Sequence, residues 1–201
     1  MESQQQVWDN IAEEWDKFRK EPILEVMSFL KKQKGKILDL GCGSGRHLIK
    51  NEDIKFYEVD FSKKMIKFAK QKAEKEDVGA EFFVSQAENL PFEDNFFDSA
   101  IFMATLQCIE GEENRDNSVK ELFRVLKPGA KALISVWNKD SKRFKNSPKE
   151  KYRRGEIDKE KIIQSVEGWF AYIAWGNTYK LRKRLAKEIE IMLKNEIAPP
   201  S

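Results

Sequence analysis

The sequence predicts an α/β fold of Rossmann-like type, a mostly parallel sheet with helices packed on its faces. Three observations carry this. Short apolar runs alternate with stretches of helical periodicity between residues 36 and 137. A turn holding three glycines, LDLGCGSG at residues 38–45, directly follows the first of those runs. Strands alternating with helices imply βαβ units with right-handed crossovers, and such sheets bind ligands beyond the carboxyl ends of their strands.

The N-terminal segment VWDNIAEEWDKFRKEPI starts as a helix with Val7, Ile11, Trp15 and Phe18 on one face, which reads as a lid over the site. Residues 36–40 read as a first buried strand, and residues 46–50 turn helical after the glycines. A second strand covers 54–60. Ser62 can cap a helix running through Ala73, with Met65, Ile66, Phe68 and Ala69 as its apolar stripe. A third strand covers 81–85 and a fourth 97–103. A helix over 117–126 ends at the stop signal Lys127-Pro128-Gly129, and a fifth strand covers 130–137. The stretch 138–150 reads as a linker, 169–175 as a possible further strand, and 178–195 as a last helix. Residues 1–137 thus form a core with its lid, and residues 138–201 a basic C-terminal segment of the same domain.

The 201 residues suffice for one domain with a full core. No run approaches the roughly 20 apolar residues of a membrane span, and the start lacks the profile of a secretory signal. A soluble, cytoplasmic protein without membrane contact is therefore expected. The two cysteines, Cys42 and Cys108, offer neither a disulfide framework nor a zinc-ligand spacing, so no metal is expected. The net charge of +3 is unevenly spread. Residues 138–201 hold 16 Lys+Arg against 9 Asp+Glu, while residues 1–137 hold 21 against 25. Seven cations and one Glu fall within Lys142–Arg154, a run that suits a polyanion as well as a solvated face.

The glycine spacing is G-x-G-x-G, with Asp39 two residues ahead of the first glycine, rather than the G-x-G-x-x-G of a dinucleotide fingerprint. A pyrophosphate disfavours a neighbouring carboxylate, whereas a ligand carrying an ammonium or sulfonium welcomes Asp39. Asp60-Phe61 ends the second strand, where a carboxylate can accept both hydroxyls of a ribose. Past the third strand, SQAENLPF places Gln86 and Ala87 where a side chain and backbone could read an adenine edge. These groups describe one adenosine-bearing cofactor. Plainer readings stand beside them: tight turns at Gly41 and Gly43, a helix cap at Asp60, packing roles for Phe61 and Met65, and a structural role for His47 on the helix after the loop.

Together LDLGCGSG, EVD, SQAENLPF, FDSAIFM and LKPGAKALISVW resemble the motifs of class I S-adenosylmethionine-dependent methyltransferases, over about residues 7–137. The resemblance implies S-adenosylmethionine as cofactor, with Gly41, Gly43 and Gly45 carrying its methionine moiety, Asp60 and Phe61 its ribose, Gln86 and Ala87 its adenine, and Asp39 and Met103 completing the site. Trp15, Arg19 and Pro22, with ISVWNKD and KEKYRRG, are similar to the enzymes that methyl-esterify 5-carboxymethyluridine at the tRNA wobble position. This implies Arg19 as a group orienting the acceptor carboxylate, tRNA contacts through Lys142–Arg154, and a small zinc-binding activator protein on the edge strand Glu81–Val84. Of Phe82 and Phe83, one is expected to enter the core and the other to be left to a helix or partner. Two departures stand out. Gln107-Cys108 replaces the His pair common in that family, leaving Gln107 as a substrate-positioning group that cannot act as a base. The C-terminal end is also expected to be shortened, with an open edge beside the fifth strand. Competing expectations are a small-molecule methyltransferase like those of quinone biosynthesis, or a cofactor-binding subunit without activity.

Overall fold

A computed structural model describes residues 3–136. The chain order is α1 (Gln4–Phe18), α2 (Leu24–Leu30), β1 (Gly35–Leu40), β2 (Ile54–Asp60), α3 (Lys63–Glu76), β3 (Ala80–Val84), β4 (Phe97–Met103), a 3-10 turn at Leu106–Cys108, α4 (Glu112–Val125) and β5 (Leu126–Ser135). The five strands form one sheet in the order β3-β2-β1-β4-β5, and every pairing is parallel. The chain reverses its direction of travel across the sheet between β1 and β4, which is where an open α/β sheet leaves a crevice for a ligand.

Apolar residues in consecutive positions make the central strands buried on both faces. Leu38 and Leu40 of β1 join Tyr57, Val59, Ala100 and Phe102 against Leu122 and Val125 of α4. Ile37, Phe56 and Ile101 join Val26 and Leu30 of α2 and Ala73 of α3. Phe56, Phe97 and Phe102 are fully buried, each contributing roughly 1.5–3 kcal/mol by burial. On the edge strand β3 the two phenylalanines divide between the faces: Phe83 packs on the first cluster and Phe82 on the second, below α3. Both rings are half-buried, so neither is left bare for a partner.

Three sequence expectations change. Residues 46–50 do not form a helix; the chain passes through turns closed by Gly45 N–H to the Cys42 carbonyl and Leu48 N–H to the Gly45 carbonyl, both at 3.1 Å. Positive φ angles at Gly41, Gly43 and Gly45 keep this short connection coiled until Asn51 turns it into β2. His47 therefore sits in a turn. Second, α4 begins at Glu112, after Gly111, five residues earlier than the apolar periodicity suggests. Third, Lys127-Pro128-Gly129 does not separate helix from strand but lies inside β5, where the register to β4 jumps between Phe97 and Ser99. Proline cannot donate to a ladder, and a bulge is where a strand tolerates it. The Asp98 carboxylate secures the bulge, accepting from Lys127 Nζ at 2.6 Å and from the Lys36 N–H at 2.8 Å. The expected linker 138–150, the strand 169–175, the helix 178–195, the cations of Lys142–Arg154 and Trp137 at the end of the fifth strand lie outside the described residues.

Candidate active site

A cavity of about 430 Å³ opens at the carboxyl ends of β1, β2 and β4. Its inner wall comes from the glycine turn. At Gly41, φ is +71°, and a Cβ there would collide with the Thr105 side chain, which itself donates to the Gly41 carbonyl at 3.4 Å. Only glycine combines that backbone with that approach. Gly43 also lines the cavity, and its N–H donates to Asp60 Oδ2 at 3.0 Å. Gly45 does not line it. A Cβ on Gly45 would meet Leu48 and Ala69 within 3.0 Å, so this glycine lets the turn pack on α3.

Asp60 ends β2 in the cavity wall and is almost fully buried. Its Oδ1 accepts the Ser62 N–H at 2.8 Å, and Ser62 caps α3 through its own hydroxyl, so Asp60 orders the loop while Ser62 serves as the cap. Each carboxylate oxygen has spare lone pairs to accept ribose hydroxyls. Burial lifts its pKa to about 6, opposed by the Ser62 and Gly43 N–H groups. Phe61, Gln86, Ala87 and Met103 all line the cavity, Gln86 from an exposed position. The Ser85 hydroxyl donates to the Asn89 carbonyl at 2.8 Å and holds that loop in shape.

Asp39 lies one layer back. It is buried, does not line the cavity, and its Oδ2 stands 3.3 Å from His47 Nδ1. The expected contact of Asp39 with a cationic ligand is thus replaced by support of His47, which does reach the cavity wall. Gln107 is also displaced from its expected role. It does not line the cavity: its Nε2 donates to the Ala104 carbonyl at 2.5 Å, and its neighbours Thr105 and Cys108 line the wall. Ala104 carries a φ of +52°, uncommon for a residue with a Cβ, and its N–H donates to the Ser135 carbonyl and hydroxyl at 3.0 Å. Such strain persists only where surrounding bonds over-determine it, which is common at functional sites.

α1 lies over the cavity, but of the face expected to cover it Trp15 lines the wall while Val7 and Ile11 do not, and Trp8 does so instead. Gln5 Nε2 donates to the Phe61 carbonyl at 2.7 Å, and Asp9 Oδ1 accepts from the Ser62 hydroxyl at 2.5 Å and the Lys64 N–H at 3.1 Å. Trp8, Trp15 and Arg19 then line the cavity, with the two indoles edge to face at 5.2 Å. Arg19 stacks on Trp15 at 4.8 Å. Trp8, Ala104, Thr105 and Arg46 were invisible as site residues from the sequence. An apolar face on the N-terminal helix signalled the lid and the Trp15-Arg19-Pro22 resemblance pointed to Arg19, but no spacing signals an arginine placed by a turn.

The arrangement fits an S-adenosylmethionine molecule: a glycine turn with no room for a Cβ, an acceptor at the ribose position and a cavity of matching size. Residues 38–134 match the family described as "Methyltransferase domain". Over 133 residues the chain is 37% identical to a tRNA (carboxymethyluridine(34)-5-O)-methyltransferase of Arabidopsis thaliana, covering 65% of this chain and 31% of that protein. The chain therefore spans about a third of that relative's length. Among solved structures, a SAM-dependent methyltransferase from Methanosarcina mazei superposes with a TM-score of 0.51 at 28% identity, over 63% of this chain and 64% of that one. One from Aquifex aeolicus shares the fold at a TM-score of 0.53 and 23% identity, over 79% of both chains. Fold, glycine turn, buried Asp60 and the match over residues 38–134 together make this chain similar to the class I S-adenosylmethionine-dependent methyltransferases, the tRNA carboxymethyluridine methyltransferases among them.

Proposed function

We propose that the chain transfers a methyl group to the carboxylate of a carboxymethyl group on the wobble uridine of tRNA, forming a methyl ester. One observation carries the reading: the cavity offers a cation, Arg19 on the lid, to an acceptor group that is itself an anion. Arg19 faces the cavity from the lid. The same cavity is lined by Met103, Thr105, Cys108, Ile109, His47 and Glu110, and burial pushes the Cys108 thiol above its ordinary value. A carboxylate is already ionised at neutral pH and needs only alignment and desolvation.

S-adenosylmethionine, when bound, supplies an electrophilic methyl on a sulfonium. The chain's own residues then do the positioning. Asp60 accepts the ribose hydroxyls, the Gln86-Ala87 segment borders the adenine, and Trp8 and Trp15 exclude water from the lid side. Arg19 orients the acceptor carboxylate by charge-assisted hydrogen bonds. The relative's name, the Trp15-Arg19-Pro22 spacing and the basic run Lys142–Arg154 support tRNA as the acceptor. A small zinc-binding activator on β3 belongs to the same proposal; the Lys55–Glu81 ion pair at 2.5 Å lies at that edge.

The test is incubation of the full chain, with and without the activator, with methyl-labelled cofactor and tRNA bearing free carboxymethyluridine. Label that co-elutes with the methyl-ester nucleoside and is released by mild alkali is the expected result. Alkali-stable label, or label only on a small molecule such as a quinone precursor, would overturn the reading.

A further inference from the structure

Glu58 is an acid to which the site described above gives no role. It lies inside β2, its side chain is fully buried, and neither carboxyl oxygen accepts a hydrogen bond among the described residues. An ionised carboxylate in that state is heavily penalised, and such a group takes up a proton instead. Its surroundings are acidic. Asp39 is its partner across the β1–β2 pairing, and Asp60 follows two residues on, on the same face of the strand. Burial first, and then the charge of Asp39, push the Glu58 carboxyl well above the usual carboxylate range. The Cys42 thiol and the Lys72 ammonium of α3 oppose this, and Asp60 adds to it. His47 stands against Asp39.

This acid lies just behind the cavity. Asp60 and Cys42 both line the wall, and a strand sets alternate residues roughly 7 Å apart, so Glu58 is one step behind the surface that the cofactor meets. A positive charge roughly 10 Å from a buried acid favours its ionised form about tenfold at an effective dielectric of about 20. S-adenosylmethionine carries such a charge on its sulfonium, and methyl transfer leaves a neutral thioether in its place. We propose that Glu58 is a charge-sensing acid behind the cavity wall, neutral against the product S-adenosylhomocysteine and ionised against the sulfonium of S-adenosylmethionine, so that the site favours the methyl donor over the spent cofactor. Glu58 gives a proton to solvent as the donor binds and takes one back once transfer has removed the sulfonium charge. The inference rests on S-adenosylmethionine as the cofactor and on no particular acceptor.

Calorimetry with S-adenosylmethionine and S-adenosylhomocysteine, on the full chain and on its Glu58→Gln variant from about pH 6 to about pH 9, tests this. The expected result is a donor-to-product affinity ratio that climbs with pH in the parent and exceeds that of Glu58→Gln by up to about tenfold at the alkaline end. The parent also releases more protons on binding the donor than the variant does, read from buffers of different ionisation enthalpy. The ligands' own ammonium groups titrate alike against both proteins and drop out of the difference. Thermal unfolding without ligand separates charge sensing from a structural role. A buried acid kept neutral stabilises the fold at low pH and loses that contribution as pH rises through its folded value, so the parent's stability should fall with pH more steeply than the variant's. That difference in stability alone, with the same affinity ratio in both proteins, makes Glu58 a structural acid and overturns the proposal. Should Glu58→Gln fail to fold, Glu58→Met, of similar volume, carries the same comparison. A parent that binds both ligands with the variant's ratio at every pH ends the proposal and leaves the cofactor in place; a parent that binds neither ends both.

Discussion

Asp60 shows what one side chain can set. Its carboxyl is buried, with a pKa of about 6, and ribose hydroxyls donate to the ionised form. Binding must therefore remove a proton below pH 6, and affinity rises with pH until that proton is gone. Calorimetry of S-adenosylhomocysteine is expected to give about tenfold weaker binding at pH 5 than at pH 7, with proton release near pH 6. Asp60→Ala should abolish the pH dependence and weaken binding at pH 7 by about 1–3 kcal/mol; a pH profile shared by variant and parent would place the titration elsewhere. Gly41 sets another limit. Its left-handed backbone and the Thr105 side chain leave no room for a Cβ. Gly41→Ala is expected to lower both stability and cofactor affinity, by about 1–3 kcal/mol in thermal unfolding. Gly45→Ala, whose clash is with Leu48 and Ala69, should lower stability while affecting binding less.

At the scale of elements, a carboxylate ties the lid to α3, beside the bond from Gln5 to the Phe61 carbonyl. Asp9 on α1 accepts from the Ser62 hydroxyl and the Lys64 N–H, which ties the lid to the start of α3 beside Asp60. Ser62 also caps α3 through its bond to Met65 N at 3.1 Å. Asp9→Ala leaves that cap in place while freeing the lid, a loss on the order of 1 kcal/mol. Amide exchange over residues 4–18 should quicken by roughly fivefold while α3 is little changed; equal quickening of both helices would show that Asp9 holds α3 and not the lid. The β5 bulge is an element-scale result of another kind. Leu126 pairs with Phe97 and Lys131 with Ser99, so Lys127–Ala130 loop out, and a motif that reads as a helix stop becomes a kink within a strand.

For the whole molecule, charge is the informative quantity. Residues 1–137 carry more acids than bases, and the excess of cations lies beyond them. Under the proposed tRNA reading, phosphate contacts fall to the C-terminal segment, and binding weakens linearly in log affinity against log salt. Replacing Arg153 and Arg154 by Ala should reduce that slope by about 2, as two phosphate contacts are lost. A filter-binding series from low to moderate salt measures it, and identical slopes would remove the run from the interface. The central strands β1, β2 and β4 are largely buried while β5 is mostly exposed, and no helix among the described residues is long and apolar enough to cross a membrane.

Sequence alone determined the order of the five strands, the glycine turn, and the chemistry at the end of β2, because these depend on local signals: apolar runs, residues without a Cβ, and a carboxylate closing a strand; it missed α2 and expected a helix after the glycines that the turns replace. Trp15, Arg19, Asp60, Gln86, Ala87 and Met103 were legible for that reason, and the structure brings all of them to one cavity. Only the tertiary structure decided which neighbours of those residues face the ligand. Asp39 and Gln107 carry the right chemistry in nearly the right place, yet Asp39 turns to His47 and Gln107 to the Ala104 carbonyl. Side-chain direction at a strand end or in a turn is set by partners distant in sequence. Arg46 is the converse case. Three left-handed glycines and the packing of Gly45 on α3 aim its turn at the cavity, and no period in the sequence records that direction.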